Sequence, residues 1–198
     1  GLAGKSFAVT CWLNWNEAGS CVNHGSQDNS FDAAVDANGH LVVTVDGVTY
    51  TSDATIPKDK WNFVSLSMEQ TENGAVLNAN AAYDGSEVTL FQNKSTGAYT
   101  GNGKFEVGKS VKGAIHEVTL WNEARAWAVA QGEMYTGKSP FTPALIGYWR
   151  MDEAHGTTAE DAARHRHILL PSENAWHMEN VNNSLQLDGT DYVDISIG

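Results

Sequence analysis

Residues 113–125 read GAIHEVTLWNEAR. Val118 and Leu120 share one face of an extended run, and Asn122 stands where a helix would begin. Asparagine is a favoured N-cap because its side chain accepts a hydrogen bond from a backbone N–H of the first turn. Beyond it Ala126, Val129, Ala130 and Met134 recur at helical spacing, and Gly137 follows as a stop. The stretch predicts a strand running into one short amphipathic helix over 123–135.

Before this stretch, period two governs the chain. Phe7, Val9, Cys11 and Leu13 share one strand face; Leu41, Val43 and Val45 share another, and so do Val64, Leu66 and Met68 after Trp61. Asn38-Gly39, Asp46-Gly47, Asn73-Gly74 and Asp84-Gly85 separate such runs. Alternation punctuated by these dipeptides describes antiparallel strands with one buried face. Two such sheets stacked face to face make an all-β sandwich.

After the stretch, TGKSPFTPA (136–144) holds two of the four prolines and reads as a linker. LIGYWRMDEAHGTT (145–158) then opens a new strand. The C-terminal SLQLDGTDYVDISIG (184–198) places Leu185 and Leu187, then Tyr192, Val193 and Ile195, around the turn Asp188-Gly189. Its final run needs a partner, because an unpaired strand edge invites association.

A chain of 198 residues with 41% hydrophobic and 18% charged residues is globular and fits one domain. No apolar run reaches the roughly 18 residues that would span a bilayer, so membrane insertion is not expected. Acidic residues outnumber basic ones 24 to 12, for a net charge of −12, and only four arginines are present. That is the wrong pattern for a phosphate backbone, so nucleic acid is not an expected partner. Cys11 and Cys21 flank a strand–turn–strand reading with the turn at Asn16–Ser20, which sets Cys21 opposite Trp15. Two small buried thiols are therefore favoured over a disulfide, with the bridge left as the alternative.

The segments SFAVTCWLNWN (6–16), DANGHLVVTVDG (36–47), IPKDKWNFVSLSM (56–68), AYDG (82–85), FEVG (105–108) and GAIHEVTLWNEAR resemble, in that order, the body of a laminin-G-like jelly roll of the concanavalin A type. LIGYWRMDEAHGTTAEDAARHRHILL (145–170) and SLQLDGTDYVDI (184–195) resemble the opening strands of the same family. Their order is rotated. The resemblance implies one two-sheet antiparallel domain over 1–198, built from 1–135 and 145–198 and joined by linker 136–144. Tyr192–Ile195 would then lie beside the strand at Phe7. A nine-residue linker has a modest closure cost, which favours a monomer over a strand-swapped dimer. The chain would be a slice of a longer protein.

Glycosidases of this fold carry paired carboxylates at alternate strand positions. Glu117 with Glu123, and adjacent Asp152 with Glu153, do not reproduce that spacing, so no catalysis is expected. The resemblance also implies a structural calcium ion, for which Asp161 and Glu117 occupy acidic positions. However, Ala163-Arg164-His165 replaces the family's small polar turn, and His116 stands in place of an aspartate. Calcium is therefore disfavoured and no cofactor is expected; Arg164 would instead place a positive charge beside Glu117 or Asp161. His155, His165 and His167 read as a solvated loop rather than a zinc site.

Sugar binding needs aromatic platforms. Trp12, Trp61, Trp121 and Trp149 occupy framework positions and are expected in the core. Trp15 shares the parity of the buried face, and Trp127 is expected to dock the helix. Trp176 and Tyr99, in Gly- and Asn-rich surroundings, are the candidate exposed rings. The functional expectation is a non-catalytic recognition or adhesion module of a larger secreted, periplasmic or cell-surface bacterial protein, binding a carbohydrate or surface glycoprotein. The alternatives are a ligand-free spacer and, last, a glycoside hydrolase.

Overall fold

The computed structural model describes residues 1–26, 29–153, 158–163, 167–170, 176–178, 183–190 and 193–195. Ten strands precede the helix: β1 (Phe7–Glu17), β2 (Gly19–Gly25), β3 (Ser30–Val35), β4 (His40–Val45), β5 (Val48–Thr55), β6 (Trp61–Thr71), β7 (Gly74–Tyr83), β8 (Ser86–Thr96), β9 (Phe105–Val107) and β10 (Lys112–Trp121). Helix α1 (Trp127–Gly132) is followed by β11 (Leu145–Trp149), β12 (Thr158–Glu160), β13 (His167–Leu169), β14 (Trp176–Met178), β15 (Asn183–Asp188) and β16 (Val193–Ile195). One sheet runs β14-β15-β10-β1-β6-β7-β8, with β11 also paired to β10; the other runs β16-β9-β2-β3-β4-β5. A small β12-β13 ribbon stands apart. All of these pairings are antiparallel, as the alternation requires.

The alternating runs turn inward as expected. Phe7, Val9, Cys11 and Leu13 from β1, Leu41, Val43 and Val45 from β4, and Val64, Leu66 and Met68 from β6 are buried in one core with Val118 and Leu120. Each such side chain contributes roughly 1.5–3 kcal/mol relative to exposure. The hairpin turns match their dipeptides. Asp46 and Gly47 sit at φ +45° and +82°, Asp84 and Gly85 at +45° and +77°. Two successive positive φ values match the right-handed twist of the flanking strands.

Three expectations change. The helix spans Trp127–Gly132 rather than 123–135, and Ala126, not Asn122, is its N-cap, without a side-chain cap bond. The cause is Arg125. Its backbone N–H donates to Ser67 Oγ at 2.9 Å, and its guanidinium lies 3.6 Å over the Trp121 ring. These contacts pin 122–126 flat on the sheet.

The final strand also lands elsewhere. β1 already has a partner on each side, β6 and β10, so the edge beside Phe7 is taken. Val193–Ile195 pairs instead with Phe105–Val107 in the opposite sheet, and Tyr192 lies outside the described residues. Strands from 145–195 thus pair with β10 and β9 of the same chain. Third, β1 and β2 are not a hairpin: the chain turns a corner at Ala18 and passes from one sheet to the other. Cys11 and Cys21 are buried and free, and burial pushes the Cys11 thiol up to about 12.

Tyr99 is 1% exposed, so it presents no ring to solvent. It packs edge-on against Phe7 and Phe31, and its hydroxyl donates to the His24 carbonyl at 2.8 Å. With that proton committed, the 2.5 Å contact to His24 Nδ1 must run from Nδ1–H to the tyrosine oxygen. Among the described residues, His24 Nε2 is buried without a hydrogen-bond partner. Burial therefore holds His24 down to about 4, with the N-terminal ammonium adding repulsion and the Gly103 carbonyl offsetting part of it.

Candidate functional site

Because Cys11 and Leu13 face the core, Trp12 must face outward, and the register sets it beside Phe63 of β6 and His116 of β10. Trp61, opposite Asn14, shares that outer face. Both tryptophans are half-buried. They do not join Trp121 and Trp149, which are 1% and 0% exposed, in the interior. Trp15 is buried as its parity required, and Trp127 packs against Phe63, seating α1 on the sheet.

The outer rings form a groove of about 710 Å³. His116 lies parallel to Trp12 at 6.2 Å and meets Trp61 edge-on at 4.8 Å. Tyr135, 78% exposed, leans over Trp12 at 5.6 Å from the turn after α1. The Trp12 indole donates to the Met134 carbonyl at 3.2 Å, which fixes both.

The polar wall comes from a β-bulge. Thr10 pairs with Thr119 and Trp12 with His116, so Glu117 and Val118 share one position opposite Cys11. Glu117 adopts φ +52°, a conformation uncommon outside glycine. Its Oε2 accepts the Tyr148 hydroxyl at 2.5 Å, and Arg150 Nε lies 3.9 Å from Oε1. Burial raises the Glu117 carboxyl above the usual range, against the Tyr148 bond and the charges of Arg150 and Lys138. Lys138, lowered by burial, donates to the Glu133 and Thr136 carbonyls at 2.5 and 2.7 Å. The arrangement offers flat apolar rings on one side and fixed donors and acceptors on the other.

Of the two candidate rings, Tyr99 does not line the groove. Tyr99 is in the core, and Trp176 heads β14, its side chain outside the described residues. The carboxylate pairs also regroup. Arg150 Nη2 holds Asp152 at 2.6 Å while its Nε approaches Glu117, and Glu123 is engaged by Arg125 at 3.0 Å.

Asp161, one of the two acidic positions implied for calcium, is engaged by backbone donors. It is fully buried, and its Oδ1 accepts the Tyr148 and Ala163 backbone N–H groups at 3.0 and 2.9 Å. Among the described residues no three acidic, His or Cys side chains cluster as a metal site. Among the described residues Arg150 pairs with Glu117; Arg164, His155 and His165, with the side chain of His167, lie outside the described residues. The melting temperature is accordingly expected to be the same in excess chelator and in millimolar calcium. A calcium-dependent rise of many degrees would restore Asp161 and Glu117 as ligands.

A family described as the concanavalin A-like lectin/glucanases superfamily matches residues 1–129. Among solved structures, the chain is similar to a Bacteroides ovatus protein described as a "putative carbohydrate binding protein". The TM-score is 0.51 and the identity 15%, covering 98% of this chain and 56% of that one. The chain thus spans little more than half of that protein's length. It is also similar to a native heptameric SAP-like pentraxin from Limulus polyphemus, at TM-score 0.46 and 14% identity, covering 65% of this chain and 69% of that one. No curated protein matches the chain significantly.

Proposed function

This chain belongs to the concanavalin A-like lectin/glucanase superfamily, and from that premise we propose that it is a non-catalytic recognition or adhesion module whose groove binds a glycan. The observation that carries the reading is the ring set Trp12, Trp61 and Tyr135 facing out of the sandwich across from Glu117, Tyr148 and Arg150. Sugar C–H faces stack on aromatic rings while fixed polar groups orient hydroxyls. A tryptophan left half-exposed on a sheet face forgoes burial energy, which a ligand recovers. Glu117 is the one carboxylate among the described residues lining the groove, and glycoside hydrolysis uses two. The description of the Bacteroides ovatus protein supports the same ligand class. The module would act in a larger secreted or surface-exposed protein.

A glycan array tests this. Wild-type protein is expected to bind a reproducible subset of glycans, and Trp61→Ala or Tyr135→Ala to weaken those hits about tenfold with the fold intact. A blank array with well-folded protein would favour a spacer role.

A further inference from the structure

The charge of the aromatic groove runs against that of the chain. Acidic residues outnumber basic ones 24 to 12 overall, yet among the described residues the groove lining holds two cations, Lys138 and Arg150, and one carboxylate, Glu117. Arg150 is engaged: Nη2 holds Asp152 at 2.6 Å and Nε lies 3.9 Å from Glu117. Glu117 in turn accepts the Tyr148 hydroxyl at 2.5 Å.

Lys138 has no comparable partner. It takes part in none of the ion pairs among the described residues. Its Nζ donates to the Glu133 and Thr136 carbonyls at 2.5 and 2.7 Å, a common use of lysine near a helix end. An ammonium carries three N–H groups, so one remains. The residue stands on the polar wall, with its backbone against the Tyr148 hydroxyl, while the Glu133 and Glu117 charges act on it through space. Burial disfavours its charged form and lowers its pKa. A half-buried cation held by neutral carbonyls has lost water without gaining an anion, and an ionised acceptor makes the stronger hydrogen bond. The same turn carries Tyr135, and the Trp12 indole bond to the Met134 carbonyl at 3.2 Å ties that turn to the aromatic platform. Ammonium and rings are thus held in one fixed arrangement.

We propose that the groove selects acidic saccharides, stacking the sugar ring on its aromatic residues while Lys138 donates to a uronic-acid carboxylate. The inference rests on the glycan reading of the groove and adds the charge of the ligand. A carboxylate is favoured over a sulfate ester, because a single free N–H leaves one carboxylate oxygen to water but two terminal oxygens of a sulfate.

The test is calorimetric titration of the full chain with the linear hexamers of galacturonic, glucuronic and mannuronic acid, each beside its methyl ester, which keeps the sugar and removes the charge. At least one acid is expected to bind about tenfold tighter than its ester. Lys138→Gln, whose amide can still donate to both carbonyls, should erase that preference, and Lys138→Arg should retain part of it. Trp61→Ala should weaken acid and ester alike. Acids that bind no tighter than their esters in all three pairs would overturn the proposal. So would an unchanged preference in Lys138→Gln, or a galactose 6-sulfate hexamer that binds tighter than every uronate. Trp61-dependent binding of neutral glycans alone would overturn this inference and leave the proposed function standing, whereas a groove that binds neither acidic nor neutral glycans at millimolar concentration would overturn both.

Discussion

A chain ending at residue 140 is expected to have no cooperative unfolding transition. Without 145–195, the outer edge of β10 loses β11 along Val118–Trp121 and β15 along Lys112–Ile115, while β9 loses β16. The core loses Leu145, Tyr148, Trp149, Met151, Leu185, Leu187, Val193 and Ile195, all buried. At roughly 1.5–3 kcal/mol for each large apolar side chain, the loss rivals the whole stability of an ordinary domain, about 5–15 kcal/mol. Urea denaturation followed by tryptophan fluorescence should give a broad, sloping signal. A sharp transition with an unchanged midpoint would mean that 1–140 folds alone and that the two sequence blocks are not one domain. We propose one domain with a permuted strand order. The same reading expects a monomer in solution.

The second large effect is acid sensitivity at His24. Its folded pKa is about 4, against 6.5 for an unperturbed histidine. Between those values the unfolded chain takes up a proton that the folded chain refuses. Stability is therefore complete above about pH 6.5 and falls as pH drops towards about 4, by about 3 kcal/mol from this one group. The cost arises because a second ring proton would put a charge in a buried site, which the Gly103 carbonyl offsets only in part. Asp36 is lowered by the side-chain and backbone hydrogen bonds of His40 despite an opposing desolvation contribution, so its contribution is lost at still lower pH. Glu117, raised by burial, works in the opposite direction. The comparison that isolates His24 is His24→Asn, whose amide N–H can replace Nδ1–H. Unfolding free energies measured near pH 7 and near pH 4 should differ about 3 kcal/mol less in the variant than in wild type. Equal differences would place the acid sensitivity elsewhere.

Much of the architecture was legible in the alternation, since one buried face per strand is what period two encodes. The misreadings have physical causes. The pattern of 126, 129, 130 and 134 is helical, but Arg125, held by Trp121 and Ser67, delays the helix start, and those contacts join residues far apart in sequence. The partner of the last strand depends on which edges are free, and a local pattern does not carry that.

The groove was half legible. Parity alone excludes Trp12 from the core once Cys11 and Leu13 are assigned to it, and excludes Trp61 once Val64 and Leu66 are. Treating both as framework residues hid the site. Tyr99 was misjudged because its Gly- and Asn-rich setting looked like a surface loop, whereas its hydroxyl has a buried partner in His24. Tyr135 and the Glu117 bulge carried no sequence signal: a left-handed glutamate is visible only once the register with β1 is known.

The central claim is that the outer aromatic groove binds a glycan and leaves it intact. The most direct measurement titrates an array-positive glycan into nitrogen-15-labelled protein, follows the Trp12 and Trp61 indole signals, and then analyses the recovered sugar by mass spectrometry. The predicted result is saturable shifts of both indoles, lost in Trp61→Ala, with the glycan recovered at its original length. Shortened glycan, or saturable binding that leaves both indoles unmoved, would contradict it.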